Sequence, residues 1–315
     1  MQHQELIELL KTLTNCEAIQ SQVYSMSDLI LPLQQSEAFE RTCGLMGVEV
    51  RRLVNDSASC LVQTRNIPLI GTFNLVSRGP VFDRTEAGHE LLNLVRREVN
   101  GPLAVNAPNG AHAPGFKLVK GADLAIVDLK RSDVMRARLH QNWRNQLRKA
   151  EHSSLRILNQ PICGQKHQWF FKAEQAQQKR RKYRSYPPEF ILAYAAANKG
   201  QARLYTAMLG TEPVAAMLIL KHGLMATYQA GVTTEQGRQL CAHNLVLWTI
   251  MTDLEKRGVR QLDLGRIDMS DGLKRFKMRA GARIETLSGT FLSIRQTASR
   301  RRSLQTSRLK TAARV

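Results

Sequence analysis

Apolar positions along the chain recur with two periods. Leu6, Leu9, Leu10 and Leu13 fall on one face of a helix predicted over residues 1–20, and a second helix is predicted from Ser36 to Leu45, stopped near Gly47. Two strands follow, Val48 to Leu53 and Ala58 to Thr64, around Asn55-Asp56, a turn dipeptide whose side chains tolerate positive φ. Ile70 to Val76 is apolar on both faces, as an interior strand is, and Arg78-Gly79-Pro80-Val81 breaks it before a helix from Glu86 to Val99. Leu103 to Val105 and Asp123 to Asp128 read as the closing strands of this half, separated by a loop rich in Asn, Pro, Gly and Ala.

Residues 130–158 change character. Met135, Leu139, Trp143 and Leu147 recur every four positions, which makes a helical stripe, while Arg136, Arg138, Arg144, Arg148 and Lys149 occupy other faces. The second half then repeats the grammar of the first. Helices from Gln168 to Lys182 and Pro188 to Asn198 precede a hairpin, Ala202 to Leu209 and Pro213 to Leu220, turned by Gly210-Thr211. A strand from Leu224 to Ala230, a polar loop from Gly231 to Gln239, a helix from Leu240 to Arg257, a short strand from Gln261 to Leu264 and a basic helical turn from Gly272 to Arg279 complete it. Leu247, Ile250, Met251 and Leu254 give the helix its apolar face, and Gly258 stands where a left-handed cap is wanted. The order of elements occurs twice with negligible identity between the halves, which predicts an architectural repeat. The expected division is a first domain over 1–129, a basic hinge helix over 130–158, a second domain over 159–294 bearing the active cleft, and a basic, disordered tail over 295–315.

Charge sharpens this division. The chain of 315 residues carries a formal charge of +20, of which residues 130–184 supply +12 and residues 295–315 supply +7. The basicity therefore belongs to the hinge region and the tail. Hydrophobic residues are 43% of the chain and charged residues 23%, a balance that fits packed globular structure. No apolar run approaches the roughly 20 residues needed to cross a bilayer, and Glu5 and Glu8 fall where a secretory signal would be basic, so a cytoplasmic location is expected. The five cysteines are scattered without a CxxC pair and the eight histidines form no HExxH, which argues for reduced thiols and against a metal site.

Several short motifs keep a shared order: Arg78-Gly79-Pro80-Val81, Asn142-Trp143-Arg144-Asn145-Gln146-Leu147-Arg148-Lys149-Ala150, Tyr228-Gln229-Ala230-Gly231, His243-Asn244-Leu245, Asp263-Leu264-Gly265 and Phe276-Lys277-Met278-Arg279-Ala280-Gly281. Together they resemble the FemAB-like branch of the GNAT acyltransferase superfamily. The resemblance implies an α/β (α+β) fold of two tandem GNAT-like domains, each a mixed, mainly antiparallel sheet flanked by helices. It implies transfer of an activated acyl or aminoacyl group onto an amine. The peptidoglycan bridge-forming members take the amino acid from aminoacyl-tRNA and place it on a cell-wall precursor. The helical-hairpin arm those members use for tRNA is not found in this sequence. The expected donors are acyl-CoA, acyl carrier protein or aminoacyl-tRNA, with no tightly bound cofactor and no metal. A GNAT loop that holds CoA is usually Arg/Gln-x-x-Gly-x-Gly/Ala, whereas Glu235 to Ala242 offers one glycine, leaving Arg238 and the helix N-terminus to hold a phosphate.

The resemblance places Lys277 at the reacting ester, with Phe276 beside it. A fixed ammonium in a dry cleft stabilises the negative charge that acyl transfer builds on the carbonyl oxygen. Tyr228 and His243 are further catalytic candidates, and Asn244, Arg238, Asp263, Arg266 and Arg78 are candidate substrate ligands; for Asp263, an ion pair with Arg266 is the simpler expectation. Expected partners are an anionic substrate or carrier, such as a lipid-linked precursor, acyl carrier protein or tRNA. The alternative is a GNAT-fold protein with little or no catalysis that binds RNA or an anionic membrane through hinge and tail. In either case residues 295–315 can make peripheral contact with the inner membrane face.

Overall fold

The computed structural model describes residues 30–68, 71–268 and 270–294. The helix expected over 1–20 and the tail over 295–315 lie outside the described residues.

In the first half, helix α1 (Glu37–Leu45) starts at Ser36, whose Oγ accepts the Phe39 amide at 3.2 Å, one of the four donors a helix start leaves open. Strands β1 (Glu49–Asn55), β2 (Ala58–Ile67) and β3 (Gly71–Ser77) form an antiparallel meander, and the short β4 (Val81–Phe82) also pairs with β2. Helix α2 (Thr85–Glu98) crosses over to β5 (Leu103–Ala107), which lies parallel to β3. The loop expected between residues 106 and 122 contains a further strand, β6 (Phe116–Lys120), before β7 (Asp123–Asp128).

The hinge region is two helices, α3 (Ser132–Arg138) and α4 (Gln141–Glu151), where one was expected. The apolar stripe is correctly read, since Met135, Leu139, Trp143 and Leu147 are all buried in one cluster. The break falls at Leu139, which turns extended, and the His140 ring caps α4 by accepting the Asn142 amide at 3.2 Å. Neither Gly nor Pro marks it, so the sequence carries no breaker signal. Residues 155–158, expected to be helical, belong instead to strand β8 (Leu155–Pro161).

The second half repeats the first. Helices α5 (Gln168–Arg181) and α6 (Pro188–Ala197) precede an antiparallel run of β9 (Ala202–Leu209), β10 (Glu212–His222) and β11 (Met225–Thr233). After α7 (Glu235–Gln239) and α8 (Ala242–Lys256), strand β12 (Gln261–Arg266) lies parallel to β11, as β5 does to β3. Helix α9 (Asp271–Arg279) leads to β13 (Arg283–Thr286) and β14 (Gly289–Ser293).

The strands form two sheets, β1-β2-β3-β5-β14-β6 with β4 on β2, and β13-β7-β12-β11-β10-β9-β8. Each sheet borrows from the other half. Strand β7, expected to close the first sheet, sits between β12 and β13 in the second, and β14 sits between β5 and β6 in the first. Leu124 to Val127 are apolar without interruption, so β7 demands burial on both faces, a demand the sequence states without saying which sheet meets it.

A common core joins the halves further. Leu33, Phe39 and Leu61 of the first cluster with Phe170, Phe190 and Leu218 of the second. Beside them Asn198 donates to the Ala38 carbonyl at 3.0 Å and to the Thr42 hydroxyl at 3.1 Å. Phe39→Ala should therefore cost about 3–5 kcal/mol and lower the urea midpoint of one unfolding transition; two separated transitions, only one of them shifted, would show that the halves do not share this core.

Candidate functional site

Parallel strands β11 and β12 pair over three positions only, Met225 to Gln261, Ala226 to Leu262 and Thr227 to Asp263. Beyond them β11 continues to Thr233 while β12 turns away, so the sheet opens at Thr227 and Asp263. On β11 the register slips between Leu218 and Ile219 of the neighbouring strand, leaving Gln229 as the extra residue of a bulge next to the opening. On β12 the turn is made by Gly265 at φ +75°, a conformation that favours glycine. Sheets of this kind collect ligands where parallel strands part.

Asp263 stands at the parting and is 1% exposed. Its Oδ1 accepts the Gly265 amide at 2.6 Å, and its Oδ2 receives the guanidinium of Arg78. Arg78 comes from the first half, at the end of β3, held at φ 53° before Gly79-Pro80. The expected pair of Asp263 with Arg266 is not formed. The turn at Gly265 carries Arg266 away from Asp263, and Arg266 instead pairs with Asp268, its Nε 3.0 Å from Oδ1.

Lys277 enters from α9, whose N-cap Ser270 accepts the Leu273 amide. The lysine is 4% exposed, and its Nζ donates to the Arg266 carbonyl at 2.8 Å. No carboxylate among the described residues closes an ion pair with it, so two of its three donors stay uncommitted there. Burial pushes its pKa down to about 8, against the carboxylates of Asp263 and Asp268, which favour the charge.

His222, a residue no motif or spacing picks out, completes the buried group. Its Nε2 lies 2.9 Å from the Thr227 hydroxyl, and burial holds its pKa near 3, so the ring is neutral. The fields of Asp263 and Arg78 act on it with opposite sign.

The other candidates lie around this group rather than in it. Tyr228 is half-buried against the second-half core; burial raises its pKa, and its hydroxyl leaves no room for a Cβ at Gly231. His243 has Nε2 2.9 Å from the Val232 carbonyl, so that nitrogen carries the proton, and burial lowers its pKa to about 4. Phe276 lies between Trp143 and His243, with ring centroids 6.1 and 6.3 Å away. Asn244 donates to Gln146 of α4 at 3.3 Å, and Arg238 is exposed and paired with Glu235.

The polar loop expected at 231–239 is not a loop. Strand β11 runs through Thr233, and residues 235–239 are helical. Gly237 lies against the Val214 carbonyl, where a Cβ would collide, and its amide is taken by the Thr234 hydroxyl at 3.0 Å. It therefore offers no free N–H to a phosphate. Shallow hollows elsewhere on the surface, beside Trp248 and Lys256 and along α9 at Lys274 and Arg275, lie apart from the Lys277 group.

Removing one partner of a buried ion pair strands the other charge. Arg78→Met should cost about 3–5 kcal/mol, and the double variant Arg78→Met/Asp263→Asn should recover much of it. Equal losses in the single and double variants, measured by chemical denaturation, would show that the pair is not coupled.

Residues 137–278 match the family described as acetyltransferase (GNAT) domain. No curated protein matches the chain significantly. Among solved structures the chain is similar to FemX, at 14% identity and a TM-score of 0.66, covering 84% of this chain and 92% of that one. It is similar to the C-terminal domain of a putative lysylphosphatidylglycerol synthetase from Agrobacterium fabrum, at 15% identity, TM-score 0.52 and coverages of 84% and 89%. It is also similar to L-PGS from Bacillus licheniformis, at 13% identity, TM-score 0.52 and coverages of 86% and 94%. Residues 137–278 thus resemble the GNAT acetyltransferase domain family, and the two-sheet fold of the whole chain is similar to that of FemX.

Proposed function

We propose that the protein transfers an acyl or aminoacyl group from an activated ester or thioester onto an amine, with Lys277 holding the carbonyl oxygen of the donor. The observation that carries this reading is a buried ammonium with uncommitted donors at the parting of β11 and β12. When the amine attacks, the carbonyl carbon becomes tetrahedral and its oxygen gains negative charge. Expulsion of the alkoxide or thiolate restores the carbonyl, and the amine proton leaves with the departing group. An ammonium already desolvated and aimed by the Arg266 carbonyl stabilises the oxyanion without reorganising. Relatives named for lysylphosphatidylglycerol synthesis and FemX favour an aminoacyl donor or an anionic lipid-linked acceptor for this chain as well. Acyl-CoA and acyl carrier protein fit the same chemistry.

Lys277→Ala should lower single-turnover transfer about 10²–10³-fold with the fold retained; undiminished transfer would remove the lysine from the mechanism.

The required species is the ammonium, whose pKa of about 8 lies below the ordinary 10.5. Transfer should therefore hold below pH 8 and fall as pH rises through it, when measured with a donor stable over that range. Lys277→Arg, charged throughout, should lack that alkaline limb whatever its absolute rate. The sign for stability is opposite. Between pH 8 and 10.5 the unfolded lysine keeps a proton that the native one has lost, so stability rises with pH across that window.

A further inference from the structure

Helix α5 turns one face to the core through Phe170 and Glu174, its two buried residues. Glu174 is 6% exposed. Its Oε1 accepts the Tyr183 hydroxyl at 3.2 Å, and its Oε2 accepts the side-chain amide of Gln178. Both donors are neutral, and among the described residues no Lys, Arg or His closes an ion pair with this carboxylate. A buried charge without a counterion is costly. An apolar side chain four residues after Phe170 would complete the same helix face without that cost.

The carboxylate lies where the second sheet opens. The Thr234 amide donates to the Val214 carbonyl of β10 at 2.9 Å, and carbonyl direction alternates along a strand, so the Gly231 carbonyl points away from β10, to the side that β12 has left. Gln177, one turn after Glu174, donates to that carbonyl at 3.0 Å and to the Tyr183 hydroxyl at 2.9 Å. The Tyr228 hydroxyl also comes up against Gly231 and makes no hydrogen bond to another described residue. Burial raises the pKa of both phenols, which therefore stay protonated. From the other face His243 reaches the neighbouring Val232 carbonyl, and Phe276, beside Lys277, packs on its ring. Glu174 and the helix of Lys277 thus approach the same stretch of β11, where no adjoining strand separates the two faces of the sheet.

We infer that Glu174, with the hydroxyls of Tyr183 and Tyr228, forms a cation subsite that receives the ammonium group of the acceptor amine. A primary ammonium brings one positive charge and three N–H donors. The charge supplies the counterion that Glu174 lacks, and a donor left over meets the oxygen of Tyr228. An acceptor hydroxyl would offer a hydrogen bond and leave the buried charge uncompensated, so the site selects an amine. That this ammonium belongs to the acceptor rests on the transfer proposed above, whereas the subsite itself does not.

The test is titration of the full chain with n-butylamine, beside n-butanol as its neutral counterpart, at neutral pH and without a donor, followed by ligand-detected NMR. The amine is expected to bind, and the alcohol to bind about tenfold or more weakly. Glu174→Gln should weaken amine binding about tenfold or more while keeping or raising the urea midpoint, because it removes a buried charge. Tyr228→Phe leaves the charge in place and should weaken binding less. In transfer assays Glu174→Gln should raise the acceptor KM with the donor KM unchanged. Three outcomes would overturn the proposal: no binding of n-butylamine by the unaltered chain, equal binding of n-butanol, or equal amine binding by Glu174→Gln. Because no donor is present, a failed titration beside transfer that still depends on Lys277 removes only this subsite, and amine binding beside undiminished transfer by Lys277→Ala removes only the role of the lysine.

Discussion

The contact between Arg78 and Asp263 joins two charges from opposite halves of the chain, the carboxylate fully buried and the guanidinium mostly so. Taking either charge out of water alone is far too costly for a native protein to sustain, so each is tolerable only while the other is present. That makes the relative placement of β3 and β12 a condition of folding and ties the first half to the mouth of the second. The same carboxylate spends its other oxygen on the Gly265 amide, which fixes the turn by which β12 leaves β11. Without that turn the Arg266 carbonyl would not face Lys277. The first half therefore shapes the surroundings of Lys277.

The exchange of β7 and β14 serves the same end. A pair of domains linked only by a flexible hinge would hold a cross-half ion pair loosely, with a large orientational cost each time it formed. Here each sheet contains a strand from the other half, and the aromatic and aliphatic side chains around Phe39 and Phe190 fill the space between. Trp143 and Leu147 of the hinge pack into the second-half core, and the His140 amide donates to the Arg279 carbonyl at the end of α9. The helix that carries Lys277 is thus anchored at its far end by the hinge.

Much of this was legible in the residues, and the failures have common causes. Periodicity located the buried stripe Met135-Leu139-Trp143-Leu147, the helix at Leu247 to Leu254 and the interior strand before Arg78, because each buries a regular face. The sequence predicts loop at strand β6 because all of the strand is exposed, so no alternation of burial is written into it. The sequence predicts strand β7 but assigns it to the first sheet, since burial on both faces carries no information about partners. The separation of Asp263 from Arg266 depends on a turn at one glycine, and proximity in sequence is a poor guide across such a turn. Nothing local marks His222, for a similar reason: it is a strand-end histidine whose surroundings come from groups 5 to 144 positions away in the chain, Thr227 and Arg78 among them.

Lys277 shows how a buried lysine can keep its charge. Burial alone would drive the lysine toward its neutral form, and a carboxylate in direct contact would keep the charge at the expense of its donors. Neither extreme is present. Asp263 is committed to Arg78 and Gly265, so its field raises the lysine pKa without taking its hydrogen bonds. Asp268 does the same while paired with Arg266. The backbone carbonyl of Arg266 supplies the one direct partner and thereby the direction of the ammonium. The resulting value of about 8 leaves the group mostly charged at neutral pH, with two of its donors uncommitted among the described residues. The ion pair between the halves thus matters to Lys277 chiefly by occupying Asp263, which keeps a buried cation charged yet unpaired.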